Sequence, residues 1–193
     1  DNGNETANES IATQNQQRYL LQIMYADHLI GKLLLRLEET GLLDRCLLVV
    51  TADHGTSFRV GQPRRQLASG NEADILSVPL FIKLPHQADG EVSDRLVESV
   101  DLFPTVADVI GMTLDGQADG RSLIDKSHPE RLVVRSSDSD GVREFDPQLI
   151  RNSTTPAEIK RRFGSASDRH ALFRIGPIPE LVGHAIASLP HTT

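Results

Sequence analysis

Leu47-Leu48-Val49-Val50-Thr51-Ala52-Asp53-His54-Gly55 is an apolar run that stops abruptly on a polar, glycine-ended turn. The run is too short for a helix of its own, and its β-branched pair predicts a buried strand, parallel to its neighbours, within an α/β sheet. Open α/β sheets carry their chemistry just outside the carboxyl ends of the strands. Asp53 and His54 therefore stand where a site belongs. A carboxylate offers a hard oxygen and a neutral imidazole a borderline nitrogen, a pair suited to a divalent cation. Neighbouring Asp and His are also common in ordinary loops, where Asp caps the next segment and His faces solvent. Gly55 lets the backbone turn sharply behind them.

Working outward, residues 15–40 read as an amphipathic helix. Tyr19, Ile23, Ala26, Ile30, Leu33, Leu34 and Leu37 recur at three- and four-residue steps, and Gly41 ends the helix as a left-handed residue. Gly31 falls inside it, which predicts a close approach of the helix to the sheet. Beyond Gly55 a polar loop of about twenty residues carries Arg59, Arg64 and Arg65, and loops of that length are commonly functional. Guanidinium forks suit sulfate, phosphate or carboxylate groups. The alternative is ordinary ion pairing with Glu72 and Asp74. A second strand follows at 78–85, with Pro79 at its start. Residues 99–111 form a second helix whose buried side is expected at Val100, Leu102, Phe103, Val106, Ala107, Val109 and Ile110. After residue 125 the signals weaken to a brief strand at 132–135, a polar turn at 136–141, a helix at 156–163 and a strand at 172–176. The expected organisation is a polar arm over 1–16, an α/β portion over 17–125, and a peripheral subregion over 126–193 packing on the sheet edge.

Composition limits the function. With 20 basic and 27 acidic residues the chain is acidic at a net charge of −7, which argues against a nucleic-acid surface. One cysteine, Cys46, rules out an internal disulfide or a cysteine-rich metal site. Nothing in the chain is as long and apolar as a membrane span.

Five stretches together resemble the sulfatase-like branch of the alkaline phosphatase superfamily. They are Asp27-His28-Leu29-Ile30-Gly31-Lys32-Leu33 running on to Leu37, Thr51-Ala52-Asp53-His54-Gly55, Val78-Pro79-Leu80-Phe81-Ile82, residues 99–111 with Asp101-Leu102-Phe103-Pro104-Thr105, and Asp119-Gly120-Arg121-Ser122-Leu123. The match runs over about 17–123, in the family's order. It implies a partial sulfatase-like α/β sandwich, a mostly parallel sheet flanked by helices. The activity implied is hydrolysis or transfer of a sulfate or phosphate ester, of the sulfatase or phosphoglycerol-transferase type. One divalent cation (Ca, Mg, Mn or Zn) is implied, with Asp53 and His54 among its ligands and Arg59, Arg64 and Arg65 in the substrate loop. The family nucleophile is a formylglycine made from Cys, or a Thr or Ser, in a stretch upstream of anything in this chain. No residue of this chain is therefore assigned as the catalytic nucleophile, and the chain alone is expected to be inactive without the remainder of the domain. The sheet edge so exposed predicts a dimer or strand exchange. Such proteins mostly act outside the cytoplasm, often behind a membrane anchor, while the present stretch is expected to be soluble. A different class of function, a non-catalytic binding domain that keeps the fold, is the alternative.

Overall fold

A computed structural model describes residues 8–114, 116, 118–138 and 141–151. The elements are α1 (Glu9–Glu39), β1 (Leu48–Thr51), α2 (Glu72–Leu76), β2 (Leu80–Lys83), a 3₁₀ turn (Ser99–Asp101) leading into α3 (Leu102–Val109), β3 (Val134–Asp138), β4 (Gly141–Phe145) and α4 (Pro147–Arg151). Helices and strands mix as an α/β chain. Within the described residues they gather into two compact units, one of residues 8–32 and 54–77, the other of 33–53 and 78–151. The helix at 156–163 and the strand at 172–176 lie outside the described residues.

Helix α1 starts at Glu9, several residues before its apolar pattern, because Asn8 caps it: the Ile11 N–H donates to Asn8 Oδ1 at 3.0 Å. It stops as its sequence dictates. Gly41 takes φ 66°, its N–H reaches Glu38 O at 2.9 Å, and the Leu42 N–H reaches Leu37 O at 2.8 Å. This pair of bonds is a Schellman closure, which needs the left-handed residue that glycine supplies without a Cβ penalty. Burial along α1 departs from the periodicity. Ala12 and Leu20 are the buried positions, while Ile23 and Leu33 are exposed. A Cβ on Gly31 would meet nothing within 4 Å, so no close approach explains that glycine.

In the second unit β1 pairs with β2, Leu48 opposite Lys83 and Thr51 opposite Leu80, and the ladder is antiparallel. The hairpin of β3 and β4 is antiparallel as well. Both ladders among the described residues thus differ from the mostly parallel sheet expected. An apolar run shows that a strand wants cover, but its direction is fixed by a partner far along the chain. β1 is also only half-buried among these residues, where a fully covered strand was expected. Lys83 ties the end of β2 to the turn before β1: its Nζ donates to the carbonyls of Leu43, of Asp44 at 2.9 Å and of Cys46 at 3.2 Å.

The core of this unit is polar at its centre. The buried side of the 3₁₀ turn and α3 comprises Asp101, Pro104, Thr105 and Ala107; of the apolar residues expected there Ala107 is buried, Leu102 and Val109 are half-buried, and Val100, Phe103, Val106 and Ile110 are exposed. Asp101 caps the turn by accepting the Glu98 N–H at 2.9 Å and anchors the chain twenty residues on by accepting the Arg121 N–H at 2.8 Å. It also accepts from the Arg131 guanidinium, whose other nitrogen lies 2.8 Å from Glu98 Oε2. Thr105 Oγ1 takes the Leu123 N–H at 2.9 Å and donates to Asp101 O at 2.6 Å. Asp101 and Thr105 therefore dock residues 121–123 onto the start of α3. Gly120 permits that approach, since a Cβ there would fall 2.0 Å from Val100 O.

Candidate functional site

Asp53 closes its segment two residues beyond β1 and is exposed. The next residue, His54, opens the loop segment of the other unit and is half-buried. His54 Nδ1 lies 2.7 Å from Gly55 O. A carbonyl can only accept, so Nδ1 donates here, and in the neutral form of such a ring the lone pair lies on Nε2. Such an anchored N–H commonly fixes a histidine that ligates metal through its other nitrogen. A carboxylate followed directly by an imidazole in this tautomer is a donor set that fits a divalent cation. Among the described residues no group of three or more His, Cys, Asp or Glu side chains gathers into a fuller cluster.

The loop from His54 to Ser77 is closed on itself by hydrogen bonds. Gly55 N–H reaches Ile75 O at 2.8 Å, and a Cβ on Gly55 would stand 1.9 Å from Asp74 O. Only glycine fits so close to a backbone oxygen. Gly55→Ala is expected to lower stability by about 1–3 kcal/mol through overpacking, read as a lower denaturant midpoint; an unchanged midpoint would contradict the contact. Ser57, which has no exposed surface, donates from Oγ to Asp74 Oδ2 at 2.9 Å, and its N–H reaches Arg64 O at 2.9 Å. Sequence reasoning had no reason to select this serine, because a buried hydroxyl and a solvated one look alike in a polar loop.

The three arginines separate into different environments. Arg59 Nε is 2.7 Å from Asp74 Oδ2, whose side chain is 8% exposed, so Arg59 neutralises a nearly buried carboxylate. Arg64 lays its guanidinium carbon 5.9 Å from the centroid of the Phe58 ring, and Phe58 in turn meets Tyr19 at 5.4 Å between centroids. This is cation–π geometry on an aromatic pair. The Arg64 Nε atom is buried and has no hydrogen-bond partner among the described residues. A buried donor without an acceptor costs free energy, so such a group commonly marks a place where an ion or water belongs. Arg65 is exposed.

The family model described as Sulfatase matches residues 1–112. The chain is 31% identical over 121 residues to the multifunctional alkaline phosphatase superfamily protein PehA of Trinickia caryophylli, covering 62% of this chain and 23% of the relative. It is 32% identical over 107 residues to arylsulfatase K of Xenopus laevis, covering 55% and 19%. It is 37% identical over 108 residues to N-acetylglucosamine-6-sulfatase of Homo sapiens, covering 53% and 18%. The chain thus matches about a fifth of the length of these relatives. No helix among the described residues is long and apolar enough to cross a membrane.

Proposed function

Because the chain belongs to the sulfatase family of the alkaline phosphatase superfamily, we propose that it supplies part of the active site of a metal-dependent hydrolase or transferase acting on sulfate or phosphate esters. In this reading Asp53 and His54 are two ligands of one divalent cation, and Arg64, with Arg65, contacts the ester oxyanion. Arg59 keeps the loop in shape through Asp74. The observation that carries the reading is the His54 Nδ1 contact to Gly55 O at 2.7 Å, which orients the ring and fixes its Nδ1–H tautomer.

A bound divalent cation supplies Lewis acidity and neutralises charge on the ester oxygens. The chain's own residues bind and orient. Asp53 brings a negative charge that favours the cation. His54 keeps its ring oriented through Gly55. Arg64 offers an N–H donor in a partly desolvated setting, where an ionic hydrogen bond to an oxyanion is stronger than in water. The nucleophile is assigned to a part of the whole protein outside this stretch, and the stretch alone is inactive in this reading. An extracytoplasmic or membrane-anchored setting for the whole protein, and pairing through the sheet edge, belong to the same proposal and rest on the resemblance.

The test is hydrolysis of an aryl sulfate and an aryl phosphate by the whole protein. Asp53→Ala and Arg64→Ala are each expected to lower kcat/KM on the preferred ester about a hundredfold. Full activity in both variants would overturn the proposal. Absence of hydrolysis of either ester by the unaltered protein would favour a binding domain instead.

A further inference from the structure

Asn71 has no exposed surface, and among the described residues it is the largest side chain so enclosed. It stands at the position that would cap α2, yet its side chain makes no capping bond there. Instead the carboxamide turns back into the loop. Nδ2 donates to Pro63 O at 3.1 Å and to Gln66 O at 3.0 Å, and Oδ1 accepts the Ala68 N–H at 2.8 Å. The two gripped carbonyls bracket Arg64 and Arg65. A third hold, the Ser57 N–H on Arg64 O at 2.9 Å, fixes the backbone of Arg64 itself. Phe58 then receives the guanidinium at 5.9 Å.

We propose that Asn71 is a positioning residue for the anion contact: by clamping the backbone on both sides of Arg64 it holds the guanidinium on Phe58 with its buried Nε–H ready for an oxyanion. The proposal rests on the reading of Arg64 as that contact. The chemistry of the clamp needs a carboxamide of this length. Two carbonyl oxygens require two donors from one side chain, and the Ala68 N–H requires an acceptor on the same group. An aspartate would set carboxylate oxygens against the two carbonyls. A flexible arginine would lose conformational freedom on taking an anion, and a clamped one has lost it beforehand.

The experiment follows the arginine Nε–H resonances of this chain by nitrogen-15 NMR while inorganic sulfate is added. In Asn71→Ala, solvent exchange of the Arg64 Nε–H should accelerate about tenfold and sulfate affinity should fall by a similar factor. The Arg59 Nε–H, held by Asp74 at 2.7 Å, should keep its slow exchange, because a specific clamp loosens one arginine and a general loss of structure loosens both. Asn71→Ser and Asn71→Asp provide readable variants if the alanine variant does not fold, and both should show the same selective loss. Equal acceleration at Arg59 and Arg64, unchanged exchange at Arg64, or unfolding of all three variants would each overturn the positioning role. Arg64→Ala separates the two claims. If it leaves the sulfate response intact, or if the unaltered chain gives none, the anion reading of Arg64 fails, while the exchange rates in Asn71→Ala still decide whether Asn71 positions it.

Discussion

Asp101→Ala is expected to cost about 3–5 kcal/mol of folding stability, the range for removing one partner of a buried ion pair. The carboxylate is 2% exposed and the Arg131 side chain 5%, so neither is relieved by water when the other is lost. Asp101 also accepts the backbone N–H of Glu98 at 2.9 Å and of Arg121 at 2.8 Å. Its removal takes one of two carboxylates from Arg131 and leaves two amide donors without their acceptor. Glu98, itself 8% exposed, stays beside Arg131 at 2.8 Å and keeps the loss from being larger. Denaturant unfolding followed by far-ultraviolet circular dichroism is the suitable measurement, since the chain has no tryptophan. Asp101→Asn retains a carbonyl for the Arg121 N–H but loses the charge, and should fall between the alanine variant and the unaltered chain. A cost below about 1 kcal/mol for the alanine variant would show that the network is solvated rather than buried.

The same region shows what a sequence can and cannot convey. Asp101-Leu102-Phe103-Pro104-Thr105 is legible as part of a helix over 99–111. The Asp101 partner Arg131, thirty residues on, is not, because a side-chain contact at that separation leaves no local pattern. Thr105 was hidden for the same reason, since its acceptor role for Leu123 is a tertiary fact. The apolar stripes of α1 and α3 predict buried faces; Ala107 is buried as the stripe predicts, whereas Ile23, Leu33, Phe103 and Ile110 are exposed. Periodicity identifies a face that can be covered, and what covers it must come from another segment.

At the candidate site the legibility was uneven in an instructive way. The turn at Asp53, His54 and Gly55 followed from an apolar run ending on ligand-type residues. That glycine is needed there because Asp74 O occupies the space of its Cβ. The loop arginines could be picked out as a group but not sorted. Arg59 met the ordinary alternative, an ion pair with Asp74, whereas Arg64 stacks on Phe58 with a buried donor. Nothing in the sequence singles out Asn71, which falls in a stretch that reads throughout as a polar loop, and only the fold shows its side chain turned onto the backbone around Arg64.

Asp53 and His54 are the two cation ligands proposed for this chain. Among the described residues, Asp74 pairs with Arg59 and Ser57, Asp101 with Arg131, and His86 with Asp44 at 2.8 Å. Two protein donors are few for Ca²⁺, which takes six to eight oxygens, or for the near-octahedral Mg²⁺. Binding by this chain alone should therefore be weak. Calorimetric titration of Mn²⁺, Ca²⁺ and Zn²⁺ into the chain, beside the Asp53→Ala/His54→Ala double variant, tests the claim most directly. The expected result is a Kd weaker than about 100 μM, or roughly 5.5 kcal/mol of binding free energy, and no detectable heat with the double variant. Binding that survives the double substitution undiminished would contradict it and move the cation site away from the end of β1.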